Sequence, residues 1–188
     1  MQRYLFLASL GLVMFTSGCT TPQTQSIAPF GKAVSQSGVT NFTPKTGGFS
    51  IYFPTKPTES TKSAPAAGTI LKAMIYQSAT PAVTYMVLTT PIPDDVDFAN
   101  PAKFLDPAQK GMLESSKGQL VKSEDIHLSN IPGREVHSSM LNGAALCRTR
   151  MYLTPKVSYM VMAVGEKDKF NSQKAQIDKV FNSFKVAS

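Results

Sequence analysis

Val157-Ser158-Tyr159-Met160-Val161-Met162-Ala163-Val164 is apolar on both of its alternating sides. In an extended chain Val157, Tyr159, Val161 and Ala163 fall on one face, and Met160, Met162 and Val164 on the other. A strand that is apolar on both faces is a central strand with cover above and below it. This stretch therefore predicts a layered domain, in which helices pack on the faces of a sheet.

The cover can be found on either side of it. Downstream, Phe170, Lys174, Ile177, Val180, Phe181 and Phe184 recur at intervals of three and four. That spacing predicts a helix from about Asp168 to Lys185 with one apolar stripe. Upstream, Asn100-Pro101 and Asp106-Pro107 each pair a capping residue with Pro at a first helical position. They predict a short helical turn from Pro101, then a helix from Pro107 to about Ser116 that buries Ala108, Met112 and Leu113 and ends at Gly118.

The remaining segments read as strands. Phe49 to Phe53 stops hard at Pro54. Lys56 to Gly68 reads as loop. Thr69 to Tyr76 and Val83 to Thr89 are rich in Ile, Val, Tyr and Met, with a turn at Ser78 to Pro81. Gln119 to Leu128 and Arg134 to Met140 flank Ile131-Pro132-Gly133, which suits a type II turn. Asn142-Gly143 marks a hairpin into Ala144 to Leu153. Thr154-Pro155-Lys156 turns the chain into the central strand. The expected architecture is α+β, an α/β/α sandwich with a central antiparallel sheet of about six to seven strands.

This element order, with Gly48-Phe49-Ser50-Ile51-Tyr52-Phe53-Pro54 opening it and Phe181-Asn182-Ser183-Phe184-Lys185 closing it, resembles the Mog1/PsbP-like superfamily. Ile131-Pro132-Gly133-Arg134-Glu135 fits its middle. The resemblance covers about Gly48 to Val186. Its motifs are packing motifs and carry no chemistry. It implies a mostly noncatalytic domain, in a group that includes photosystem II extrinsic proteins, a nuclear transport factor and small bacterial lipoproteins. The exported, lipidated members are the nearest in layout. No residue matches a functional position of the photosystem branch.

The N-terminus predicts where the domain works. Arg3 precedes an apolar run from Leu5 to Phe15, then Thr16-Ser17-Gly18-Cys19. The run is too short to span a bilayer and has the length of a signal-peptide core. The box resembles those read by bacterial lipoprotein signal peptidase, although Thr16 stands where Leu is usual. Residues 1–18 read as a signal peptide, and Cys19 as the lipidation site. Residues 19–46, rich in Thr, Gln, Ser, Pro and Gly, read as a flexible tether, and residues 47–188 as the domain. Thr20, where an Asp would favour inner-membrane retention, favours the outer membrane facing the periplasm in a Gram-negative cell.

The charge distribution suggests partners. Thr20 to Lys72 holds Lys32, Lys45, Lys56, Lys62 and Lys72 against Glu59, a net of +4, and residues 73–188 add +2. An excess near the anchor suits anionic lipid headgroups. Nucleic acid is a poor partner for an exported chain. Only Cys147 remains once Cys19 is acylated, so no disulfide closes within one chain.

Catalytic signatures are weak. His127 and His137 are the only histidines, with Asp125, Glu135 and Cys147 as potential helpers. Strand parity around an even turn places the two histidines on opposite faces, so no metal is expected. No Gly-x-Ser-x-Gly elbow or phosphate loop occurs. Cys147 shares a face with Ala145, Thr149, Met151 and Leu153, and reads as a buried core thiol. Asp94, Asp95 and Asp97 read as charge at a helix start. Arg148, Arg150 and Tyr152 share the other face, and are the candidates for contact with an acidic partner if no helix covers them. No cofactor is expected. The leading expectation is a noncatalytic, lipid-anchored interaction module for another envelope protein or assembly. The alternative is a carrier of a small apolar ligand or lipid in the periplasm, with several of the nine methionines, on Met-rich strands, making a gap between sheet and helix adaptable.

Overall fold

The computed structural model describes residues 41–46, 48–66, 69–92 and 98–187. In chain order the elements are β1 (Phe49–Ser50), β2 (Thr58–Ala66), β3 (Thr69–Ala79), β4 (Thr84–Pro91), α1 (Ala102–Ser116), β5 (Gln119–Leu128), β6 (Ile131–Met140), β7 (Ala145–Leu153), β8 (Val157–Glu166), α2 (Lys167–Ser172), α3 (Lys174–Ser183) and β9 (Lys185–Val186). β2 to β8 form a seven-stranded antiparallel sheet in the order β2-β3-β4-β8-β7-β6-β5. β8 is the middle strand, as its two apolar faces require. The expected α+β fold is present.

Each face of β8 feeds a separate core. Tyr159, Val161 and Ala163 join Tyr76, Tyr85 and Val87 beneath Ile177, Val180 and Phe181 of α3. On the reverse side Met162 packs with Met86, Met140, Ala145 and Cys147. There α1 lays Phe104, Leu105 and Met112 on Val136, Met151 and Leu153. Phe49 of β1 pairs with Val186 of β9, which brings the two ends of the domain together. Phe49 and Tyr152 both pack on Phe184, the latter pair stacked at 5.5 Å between centroids.

Several local expectations are corrected. The segment expected to be loop after Lys56 contains β2, an edge strand paired along its length with β3. Pro65 is tolerated because an edge strand has one row of N–H groups that needs no ladder partner. The first strand is short: beyond Ser50, Ile51 makes an isolated bridge to Phe42. Residues 41–46 are therefore tied to the domain. Phe42 is half-buried against Phe49, Phe53 and Tyr76, and the Thr46 carbonyl accepts the Tyr76 hydroxyl.

One helix, α1, replaces the expected turn and helix, with Pro107 inside it. Pro107 lacks the N–H that would reach the Lys103 carbonyl, but the burial of Phe104, Leu105 and Met112 outweighs one lost bond. Lys117 adopts the left-handed conformation that ends α1, not Gly118, while the Gly118 N–H bonds back to the Leu113 carbonyl at 2.8 Å. The β5–β6 turn falls at Ser129-Asn130, where Ser129 has φ 54°, and Pro132 and Gly133 lie within β6. Gly133 serves close packing: a Cβ there would stand 2.4 Å from the Met151 carbonyl oxygen. The last helix is broken at Gln173 into α2 and α3, and Phe184 is already extended.

Candidate interaction face

The hairpin centred on Asn142-Gly143 fixes which charges meet. It pairs Glu135 with Arg150, His137 with Arg148, and Gly133 with Tyr152 across β6 and β7. Paired residues share a face, so one carboxylate, one imidazole and two guanidiniums converge beneath α3. Glu135 is the hub, with only 6% of its side chain exposed. Arg148 grips both its oxygens, Nε donating to Oε1 at 2.9 Å and Nη2 to Oε2 at 3.0 Å. Arg150 donates to Oε2, and His137 Nε2 lies 2.7 Å from Oε1.

The arginines also tie the sheet to α3. Arg148 pairs with Asp178, and Arg150 reaches the Asn182 side chain at 3.2 Å. Both guanidiniums lie over the Phe181 ring, at 4.8 and 5.5 Å from its centroid. Each contact adds on the order of 1 kcal/mol. Burial alone would raise the Glu135 pKa, but hydrogen bonds from Arg148, Arg150 and His137 outweigh it and hold the carboxyl at about 2. Glu135 is thus a fixed negative charge, and its acceptor positions are taken.

The expected site residues are therefore partly brought together. Arg148, Arg150 and Tyr152 do share one face, but α3 covers it. The arginines are only 14% and 19% exposed, and Tyr152 is buried against Phe184. Glu135, considered in the sequence only as a metal helper, organises them. The signal was available: a hairpin centred between Asn142 and Gly143 pairs residues that sum to 285, which are Glu135 and Arg150.

The other candidates are dispersed. His127 pairs with Pro132 near the β5–β6 turn and is exposed, on the face opposite His137, as strand parity required. Cys147 is buried with its sulfur 3.5 Å from the Thr149 hydroxyl, and burial pushes its thiol pKa up. Cys19, Asp94, Asp95 and Asp97 lie outside the described residues. Within the core beneath α3, the Tyr85 hydroxyl is buried with no hydrogen-bond partner among the described residues, and its pKa is pushed up to about 12, chiefly by burial.

A seven-stranded antiparallel sheet with α1 on one face and α2, α3 and the β1–β9 pair on the other is a PsbP-like fold. Its architecture is similar to that of cyanobacterial PsbP (CyanoP) from Synechocystis sp. PCC 6803, with a TM-score of 0.60 at 13% identity, covering 85% of this chain and 98% of that one. It is also similar to LpqN, a protein involved in cell envelope biogenesis of Mycobacterium tuberculosis, with a TM-score of 0.49 at 16% identity, covering 82% of this chain and 88% of that one. No protein-family model matches the chain, and no curated protein matches it in sequence.

Proposed function

We propose that the chain is a lipid-anchored envelope protein, held through Cys19, whose domain is a noncatalytic interaction module for another envelope protein or assembly. The observation that supports this reading best is the saturation of the Glu135 cluster. The polar groups that the fold gathers hold one another and fasten α3 to the sheet. A catalytic carboxylate needs an unclaimed oxygen and a pKa near working pH; Glu135 has neither. In this reading Arg148, Arg150 and Tyr152 support the partner surface from beneath, by fixing the outer side of α3. The tether lysines Lys32 and Lys45 would rest near anionic headgroups. The test is crosslinking and affinity capture of the full chain from intact envelopes. A stoichiometric partner that is lost when exposed lysines of α3, Lys174 and Lys179, are changed to Glu supports the module; unchanged capture sinks it.

The carrier reading keeps one observation of its own. The orphaned Tyr85 hydroxyl lies between the sheet and α3, where a small apolar ligand with one polar atom would satisfy it. Mass spectrometry of the purified chain under native conditions decides it: a copurifying small molecule lost in Tyr85→Phe favours the carrier.

A further inference from the structure

Among the described residues, the exposed large hydrophobic side chains are Leu120, Val121 and Leu141, at 49%, 66% and 75% exposure. They come from two separate parts of the chain and lie at the same end of the sheet, at one corner. Leu120 pairs with Ser138 across β5 and β6, and Leu141 follows Ser138 by three positions at the β6–β7 turn. Both local backbones are irregular. The register shifts between Leu120 and Lys122, leaving Val121 without an opposite residue. Leu141 has φ 52°, a left-handed conformation that glycine or asparagine adopts far more readily. Nothing in the packing explains an exposed leucine there. A bulge and a strained turn that both present apolar side chains to solvent are the kind of local cost that accompanies a contact surface.

Two exposed lysines stand at the rim of the corner. Lys117 ends α1 next to Gly118, whose Cβ position would lie 3.6 Å from Met140. Lys167 donates its backbone N–H to the Ala144 carbonyl at 2.9 Å, just past the turn. Neither ammonium makes an ion pair among the described residues. The nearby acids Glu114, Glu124 and Glu166 pair with Lys110 at 3.9 Å, Lys122 at 2.8 Å and Lys169 at 2.7 Å. Asp168 sits in the first turn of α2, where the helix dipole favours it.

We propose that Leu120, Val121 and Leu141 form a tip that dips into the interface of an anionic lipid bilayer, with Lys117 and Lys167 at the headgroups. The apolar groups stand on an edge strand and a hairpin turn, at positions that project from the sheet end, which suits a soft, flat bilayer. Charge on the rim complements anionic lipid. The 22 residues from Cys19 to Asn41 have a contour length of about 75 Å, so the tip can touch the bilayer that holds the anchor. The proposal deepens the anchored-module reading and takes from it only the nearness of a membrane.

The chain has no tryptophan, so one added indole reports alone. Leu141→Trp and Val121→Trp place it in the tip, and Ser129→Trp at the far end of β5 serves as control. Full-length protein is mixed with vesicles of phosphatidylcholine, with or without phosphatidylglycerol, carrying brominated acyl chains. The tip reporters are expected to shift to the blue and be quenched about twofold or more beyond the control, more with phosphatidylglycerol and less at high salt. Adding Leu120→Asp removes the effect. Equal, weak quenching of tip and control overturns the proposal. A blue shift with solubilised envelope proteins and none with vesicles assigns the corner to a protein and also overturns it. The mass of the Cys19 peptide is read in parallel: a peptide without acyl groups sinks the anchor, while the reporters still decide the tip.

Discussion

Arg148 and Glu135 form a two-pronged pair, guanidinium Nε and Nη2 to the two carboxylate oxygens at 2.9 and 3.0 Å, on adjacent strands beneath a helix. Such a pair costs desolvation to bury and is worth most when neither partner can be lost alone. Removing the acid strands two arginines that are 14% and 19% exposed. Glu135→Ala is therefore expected to destabilise the domain by about 3 kcal/mol. Glu135→Gln, which keeps the shape and one acceptor, should cost less. Urea unfolding midpoints at neutral pH check the order; an alanine variant within about 0.5 kcal/mol of the parent contradicts it.

The same carboxylate sets an acid limit. Its folded pKa of about 2 lies below the ordinary 4.5. A depressed folded pKa means that the stabilisation is complete above the unfolded pKa and is lost as pH falls through the folded one. Between pH 4.5 and about 2 the domain should lose on the order of 3 kcal/mol through this group. Thermal unfolding across that window should fall steeply in the parent and more gently in Glu135→Gln. Parallel curves would show that other groups govern acid unfolding.

Two glycines mark places where backbone must come close. A Cβ at Gly133 would stand 2.4 Å from the Met151 carbonyl oxygen, and one at Gly165 2.5 Å from that of Ala82. Backbone oxygens cannot swing aside as a side chain can. Gly133→Ala and Gly165→Ala should each cost about 2 kcal/mol, whereas Gly143, with nothing within 4 Å of its Cβ position, loses only the ease of its φ of 91°. Differential scanning calorimetry of the three variants ranks them.

Leu141 should be a liability for stability. Leu141→Asn, placed at a φ of 52°, is expected to raise stability by about 0.5 kcal/mol. A drop on substitution would mean that the leucine packs to structural advantage. A gain in stability together with a loss of vesicle contact would separate what the residue does for the domain from what it does outside it.

Cys147 should be silent in the folded state. It is buried on the sheet face away from the arginines, and burial pushes its pKa up. Alkylation at Cys147, followed by peptide mass, is expected only as denaturant unfolds the chain. Labelling at native conditions would reveal an opening of the Met-lined core.

The sequence revealed features wherever a residue had one role. The two-sided apolar run at β8 has no reading except a central strand. Asn142-Gly143 has few readings except a hairpin. β2 was hidden because Thr-Glu-Ser-Thr-Lys-Ser-Ala-Pro-Ala shows no alternation: an edge strand held by β3 alone needs no apolar face. Asp106 misled because its carboxylate serves Arg134 instead of capping a helix. Pro132-Gly133 misled because the glycine answers a neighbouring strand, a contact invisible until the sheet is assembled. The Glu135 cluster was half visible, since alternation put the arginines together while their acid lay on another strand.

The pairing of β1 with β9, and of Phe42 with Ile51 just before it, has a mechanical consequence. A pull on the N-terminal segment meets the Phe42–Ile51 bridge first, then the two-residue β1–β9 ladder. The long sheet lies behind both. Load would open the domain from this seam, uncovering Phe49 and Phe184 while the seven-stranded sheet still stood, so the chain carries a built-in weak link at the point where force enters.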